Sequence, residues 1–237
     1  MKMTKRFDNN NNLTSGRFGN HFFRNMIAHL ISENNDIKFN YSYKSELLAL
    51  GFELYEGKTT YTGKIFLTDD NCMSYINDHN IKRNINLCYA YFQTSEIAKY
   101  LRNYCNTSDV KSKIVLHNPY NLRYNNNNDV FVHVRIGDVP QFTPDYKYFD
   151  SVLGKLNFNK GYISSDTPDH EICTKLIEKY KMSKYEETEV NTIQFGSSCR
   201  YIVISGGTFS WIIGVLGYNS VILPRSEYEG KMVWGYK

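Results

Sequence analysis

The sequence predicts an α/β protein in which parallel strands alternate with helices packed on both sheet faces. Three observations predict it. The run Val130-Phe131-Val132-His133-Val134-Arg135-Ile136 is apolar, rich in β-branched residues and stopped by Gly137, as a buried strand is where it enters a loop. Phe22, Phe23, Met26, Ile27, Leu30 and Ile31 recur at helical spacing, with His21, Arg24, Asn25 and Ser32 at the other positions, which marks an amphipathic helix. From 130 to 223, short apolar runs alternate with helix-length segments, the pattern of a parallel sheet.

In chain order, 37–43 reads as a short strand, 45–50 as a helix ended by Gly51, and 64–68 as a second strand. Residues 95–104 read as a helix with Ser95 as its N-cap and Ile97, Ala98 and Leu101 on the buried side. Past the strand at 130–136, residues 146–156 form a helix, 161–164 a strand, and 169–180 a helix opened by the turn pair Thr167-Pro168. Residues 201–204 give a strand, 209–216 a helix, and 220–223 a last strand stopped by Pro224. Two asparagine tracts, 9–12 and 125–128, favour turns or disorder. The second divides an expected first domain, 1–125, from a second, 126–237.

The chain has 237 residues, 41% of them hydrophobic, enough for real cores. Its formal charge is +4, and the 28 Lys and Arg are scattered, so no nucleic-acid footprint is expected. Cysteines 72, 88, 105, 173 and 199 are odd in number and lack any C-x-x-C pair, which argues against a disulfide framework or structural zinc and for a reducing, cytoplasmic compartment. The first residues run into asparagines without an apolar h-region, and no apolar stretch reaches the ~18 residues of a membrane span.

Ligands of open parallel sheets settle at the carboxyl ends of strands, so the residues just past each predicted strand are the candidate site. His133 and Arg135 are two apart and share a strand face, and an imidazole and a guanidinium aimed at one spot suit a phosphate. An ion pair of Arg135 with Asp138 fits the same residues, and both readings stand. Asp166, just past the strand at 161–164, serves either as a helix cap or as an acceptor for the amino and imino groups of a purine. The loop Ser205-Gly206-Gly207-Thr208-Phe209-Ser210 offers amides and hydroxyls to a phosphate at a helix N-terminus, although many strand-to-helix turns share this composition without a ligand. Ser15-Gly16-Arg17-Phe18-Gly19-Asn20 is either a tight turn or a second amide cradle. It lacks the G-x-G-x-x-G spacing and is no Walker A loop.

Five segments also match known motifs in order. Gly16-Arg17-Phe18-Gly19-Asn20-His21-Phe22-Phe23 is similar to G-R-L-G-N-Q-M-F, and Tyr91-Phe92-Gln93-Thr94-Ser95-Glu96 with Leu101-Arg102 to G-Y-F-Q-S-E and its helix. His133-Val134-Arg135-Ile136-Gly137-Asp138 is similar to H-V-R-R-G-D, and Tyr162-Ile163-Ser164-Ser165-Asp166 to Y-x-F-S-D. Ile204-Ser205-Gly206-Gly207-Thr208-Phe209-Ser210-Trp211 is similar to I-S-N-S-S-F-S-W-W, followed by Ile222-Leu223-Pro224. From Gly16 to Pro224 the chain thus resembles the α-1,2-fucosyltransferases of glycosyltransferase family 11 and, more distantly, the wider fucosyltransferase superfamily.

The resemblance implies a GT-B fold of two Rossmann-like domains facing a cleft, the N-terminal one trimmed. It implies GDP-fucose as donor, a glycan hydroxyl as acceptor, α-1,2 linkage, inversion at the anomeric carbon, and no metal or other cofactor. Carried over by position, Arg135 binds the β-phosphate, His133 shapes the nucleotide site, Asp166 reads guanine, and Thr208 and Ser210, with Phe209 between them, contact phosphate. Gly16, Arg17, Gly19 and Asn20 meet the donor from the other domain. Asp138, close in sequence to the diphosphate site, is the candidate base. Ile136 replaces the second arginine of H-V-R-R-G-D, which leaves open a related deoxysugar, or a binding module whose catalysis has decayed. Gly206 and Gly207 replace two side chains of the N-S-S segment and ease close backbone approach.

Overall fold

A computed structural model describes residues 16–87, 90–137, 143–218 and 220–223. The asparagine tract at 9–12, Asp138 and Pro224 lie outside them. The architecture is mixed α/β, and the chain divides into two compact units, 1–103 and 104–237.

The first unit is organised around α1 (Phe18–Asn35). The amphipathic helix of the sequence is in fact enclosed on every side: His21, Arg24, Asn25, His29 and Ser32 are buried with Phe22, Phe23, Met26 and Ile27. Burial of polar groups is tolerated where they are bonded. His21 Nδ1 lies 2.6 Å from Ser42 Oγ, and His29 Nδ1 accepts from Tyr55 N at 3.0 Å. Asp36 ends the helix in the left-handed region (φ 49°), and its carboxylate accepts from Tyr55, Lys58 and Thr59.

Residues 37–43 do not form the expected strand. Burial alternates as a strand's would, with Ile37 and Phe39 inside and Lys38 and Asn40 outside, but among the described residues one parallel bridge, Ile37 to Thr59, is its whole pairing. Then come α2 (Lys44–Ala49) and a short parallel pair, β1 (Lys64–Phe66) and β2 (Asn84–Asn86), with α3 (Cys72–Ile76) between them. In α4 (Ser95–Cys105) the cap falls one residue earlier than expected, where Thr94 Oγ1 accepts from Ile97 N at 3.3 Å. Ile97, Ala98 and Leu101 are buried as their spacing demanded.

The second unit begins with α5 (Ser108–His117) and a 3-10 turn, Asn121–Arg123. It then alternates β3 (Val130–Val134), α6 (Tyr146–Leu153), β4 (Gly161–Ser165), α7 (Glu171–Tyr180), β5 (Ser183–Lys184), α8 (Glu189–Ser197), β6 (Tyr201–Ile204), α9 (Gly207–Val215) and β7 (Val221–Leu223). The strands form one parallel sheet of five in the order β5-β4-β3-β6-β7. One face of β3 sends Val130, Val132 and Val134 into a core with Phe149 and Leu153 of α6 and Cys173 and Leu176 of α7. The alternate residues, Phe131 and His133, meet the other layer, Phe195 of α8 and Phe209 and Ser210 of α9. All five residues, Val130 to Val134, are buried, as a strand covered on both faces requires.

The asparagine tract at 125–128 lies inside this unit and is heavily bonded. Asn127 Nδ2 donates to the carbonyls of Arg123 and Ser198, its Oδ1 accepts from Asp129 N and Arg200 N, and Asn128 Nδ2 donates to Asn157 O. Cysteines 72, 105, 173 and 199 are buried free thiols. Among the described residues no helix is long and apolar enough to cross a membrane.

Candidate functional site

Counted from β3, the strand order is 3-2-1-4-5. The chain leaves β3 in one direction, through β4 and β5, and returns past it to β6 and β7. The connections after β3 and β6 therefore diverge, which makes their carboxyl ends the topological switch point of the sheet, the place where doubly wound sheets take their ligands.

His133 stands at the end of β3, 5% exposed, with Nδ1 2.6 Å from Ser210 Oγ and its ring 5.1 Å from that of Phe209. Burial pushes the imidazole down from 6.5 to about 4; Arg135 adds to that shift and Asp166 opposes it. His133 is neutral at pH 7. Because the unfolded chain takes up this proton near 6.5 and the folded one only near 4, its contribution to stability is complete above 6.5 and is lost as pH falls through that window. We expect stability there to drop by up to ~1.4 kcal/mol per pH unit more than in His133→Gln. Urea unfolding at three pH values measures this, and equal slopes in both proteins would refute it.

Arg135 follows β3. Its guanidinium pairs with Asp166, past the end of β4, and its backbone N–H donates to Ser205 Oγ at 2.8 Å. The other Asp166 oxygen accepts from Ile136 N at 2.9 Å. Asp166 is thus no helix cap: α7 is capped by His170, whose Nδ1 accepts from Ile172 N at 3.2 Å. Gly137 makes the pairing possible, because a Cβ there would fall on the Asp166 carboxylate. Ile136 turns inward instead, 6% exposed, into the core under α6 and α7.

On the β6 side, Ser205 leads into Gly206 (φ 110°, ψ 176°) and Gly207 (φ 80°) at the start of α9. Only glycine holds the first of these conformations without strain, and a Cβ at either position would project into open space. The N-terminus of α9, the partial positive end of the helix dipole, therefore lies beside two glycines that carry no side chain. Ser210 is completely buried one turn on, its hydroxyl against His133. His133, Arg135, Asp166, Phe209 and Ser210 are thereby linked around one strand end.

Gly16, Arg17, Gly19 and Asn20 belong to the first unit. Gly16 and Arg17 are exposed ahead of α1, Gly19 is buried within it, and Asn20 Oδ1 accepts from Gln93 Nε2 at 2.8 Å. That bond joins the G-R-F-G-N and Y-F-Q-T-S-E segments. Beside Gln93, Phe92 sits in the left-handed region (φ 57°), held by its N–H donating to Asp69 Oδ1 at 2.7 Å. Two residues escaped the sequence reading. Gly137 has no signal outside three dimensions, while Ser205 stood within the recognised loop, one residue past a strand.

Among the described residues no three His, Cys, Asp or Glu side chains gather as metal ligands would. No protein-family model matches the chain, and no curated protein matches it.

Proposed function

We propose that the chain binds a nucleoside-diphosphate sugar at the carboxyl ends of β3, β4 and β6. We further propose that it transfers the sugar, with inversion and without a metal ion, from GDP-fucose or a related deoxysugar donor to a glycan hydroxyl. In this reading unit 2 is the donor-binding half of a GT-B enzyme. The observation that carries the reading is the convergence of Arg135, His133 and the glycine-led N-terminus of α9 on the topological switch point of the sheet.

Breaking a glycosyl-phosphate bond builds negative charge on the departing diphosphate. A guanidinium and helix-terminal amides already in place meet that charge without reorganising. Asp166 orients the guanidinium, and a carboxylate, with about four acceptor sites, is the kind of group that suits the N–H edge of guanine. The neutral His133 adds no positive charge, so Arg135 supplies the charge that holds the phosphate.

A thermal-shift panel of GDP, UDP and dTDP, each with its sugars and with EDTA, tests the reading. A ligand at a hundred times its Kd stabilises the folded state by about 2.7 kcal/mol, and GDP compounds are expected to give the largest shift. A pyrimidine preference would remove the role of Asp166, and no shift from any nucleotide would remove the reading. Ile136 favours a second reading: where the resembled pattern has a second guanidinium, this side chain lies in the core. A GDP-induced shift without transfer or slow donor hydrolysis would identify a binding module of the same fold.

A further inference from the structure

A backbone amide can only donate. That of Arg135 donates to Ser205 Oγ at 2.8 Å, so this oxygen accepts, and its own proton must go elsewhere. Ser205 is 2% exposed, and the acceptor its hydroxyl can reach among the described residues is Ser210 Oγ, at 3.5 Å. Ser210 in turn lies against His133 Nδ1, at 2.6 Å. The four groups form a row, and two proton directions along it are conceivable.

In the first, Ser205 donates to Ser210, Ser210 donates to His133 Nδ1, and the imidazole proton sits on Nε2. Both hydroxyl protons then have an acceptor. In the second, Nδ1–H donates to Ser210 and Ser210 to Ser205, and the Ser205 proton is stranded in a buried place. Leaving a buried donor unmet is the costly arrangement, so the first direction is favoured.

We infer that Ser205 and Ser210 are positioning residues that hold His133 as the Nε2–H tautomer, so that a neutral imidazole presents an N–H donor to a phosphate oxygen at the β3–β6 switch point. The polarity is imposed from the backbone of Arg135, whose side chain serves the same site. Nε2 has no partner among the described residues, and it is not one of their fully enclosed unpaired polar atoms. It is left to a ligand. Burial keeps the ring uncharged at ordinary pH, so this donor neither titrates nor repels Arg135. The ligand half of the inference rests on the nucleotide reading above, whereas the tautomer does not.

The full chain labelled with 15N-histidine tests both halves. Ring-nitrogen spectra at pH 7 are expected to show His133, assigned by its loss in His133→Gln, protonated at Nε2 and bare at Nδ1. A protonated Nδ1 would overturn the inference. Ser210→Ala should give a mixture of tautomers and bind GDP about tenfold more weakly by calorimetry, about 1.4 kcal/mol. Ser210→Thr, which keeps the hydroxyl, should restore both. Ser205→Ala, which cuts the row one step earlier, should act in the same direction as Ser210→Ala. A single Nε2–H tautomer persisting in both alanine variants would overturn the role of the serines. Wild-type protein with the expected tautomer but no GDP binding would support the row and overturn the nucleotide reading.

Discussion

Arg135→Ala is expected to slow transfer from GDP-fucose by about a hundredfold or more while leaving the protein folded. The two parts of that expectation come from different magnitudes. As a structural element, the Arg135 to Asp166 pair is modest: the side chains are 20% and 18% exposed, and partly solvated ion pairs contribute about 1 kcal/mol or less. Asp166 also keeps the Ile136 amide when the guanidinium is gone. As an electrostatic element in transfer, the same guanidinium meets charge that appears only as the glycosyl bond breaks, and a hundredfold corresponds to about 2.7 kcal/mol. The catalytic loss therefore exceeds the stability loss. Arg135→Lys separates charge from geometry, because an ammonium keeps the charge without the planar fork, and it should fall between the two. Steady-state rates beside urea midpoints for the three proteins decide the matter. Wild-type turnover in Arg135→Ala would end the assignment.

The same pair shows how far the sequence could be read. His133 and Arg135 were marked by their position at the end of a β-branched run, and β3 and β6 form where such runs predicted them, because a strand covered on both faces has few compositions open to it. The partner of Arg135 was not marked. Asp138 is three residues away and Asp166 is 31 away, and the contact exists because β4 pairs with β3 in register, Val134 opposite Ser165. Long-range pairing of that kind leaves no local trace. The tight fit of Gly137 against the Asp166 carboxylate is invisible for the same reason.

Other misreadings have local causes. The alternation of 37–43 is real in the burial of Ile37 and Phe39, but a strand needs a neighbour, and among the described residues one bridge is all that forms. Helix α8 was missed because Val190, Thr192, Ile193, Phe195 and Gly196 are poor helix formers, and its polar residues Gln194 and Ser197 are buried. Its order comes from packing: Phe195 stacks on Tyr185, ring centroids 4.4 Å apart, and the carbonyl of Gln194 accepts from Asn118. Tertiary contact overrides propensity there. The two-residue edge strand β5, Ser183–Lys184, is polar and too short to carry a pattern.

Arg123→Ala is expected to cost about 2 to 3 kcal/mol of stability, because it leaves the Asp129 side chain, 9% exposed against 18% for that of Asp166, without the partner that offsets its burial. Its guanidinium donates to Asp129 Oδ2 at 2.8 Å and to Ser198 Oγ at 3.2 Å, and it lies 4.7 Å from the centre of the Phe195 ring. Asp129 is 6% exposed and directly precedes β3, its carbonyl accepting from Tyr201 N at the start of β6. Removing the arginine thus strands a carboxylate at the root of the two central strands, where water is scarce. The asparagine corner keeps its own bonds in that variant, since Asn127 donates to the backbone carbonyl of residue 123 and accepts from the backbone amide of Asp129, and alanine retains the first. Two outcomes separate this account from a loss of packing alone. Arg123→Ala combined with Asp129→Ala should cost less than the sum of the single changes, because the second removes the charge that the first exposed. The loss should also change little between low and high salt, since screening acts weakly on a buried pair. Additive losses in urea unfolding would mean that the stacking on Phe195, and not the ion pair, holds this end of the sheet.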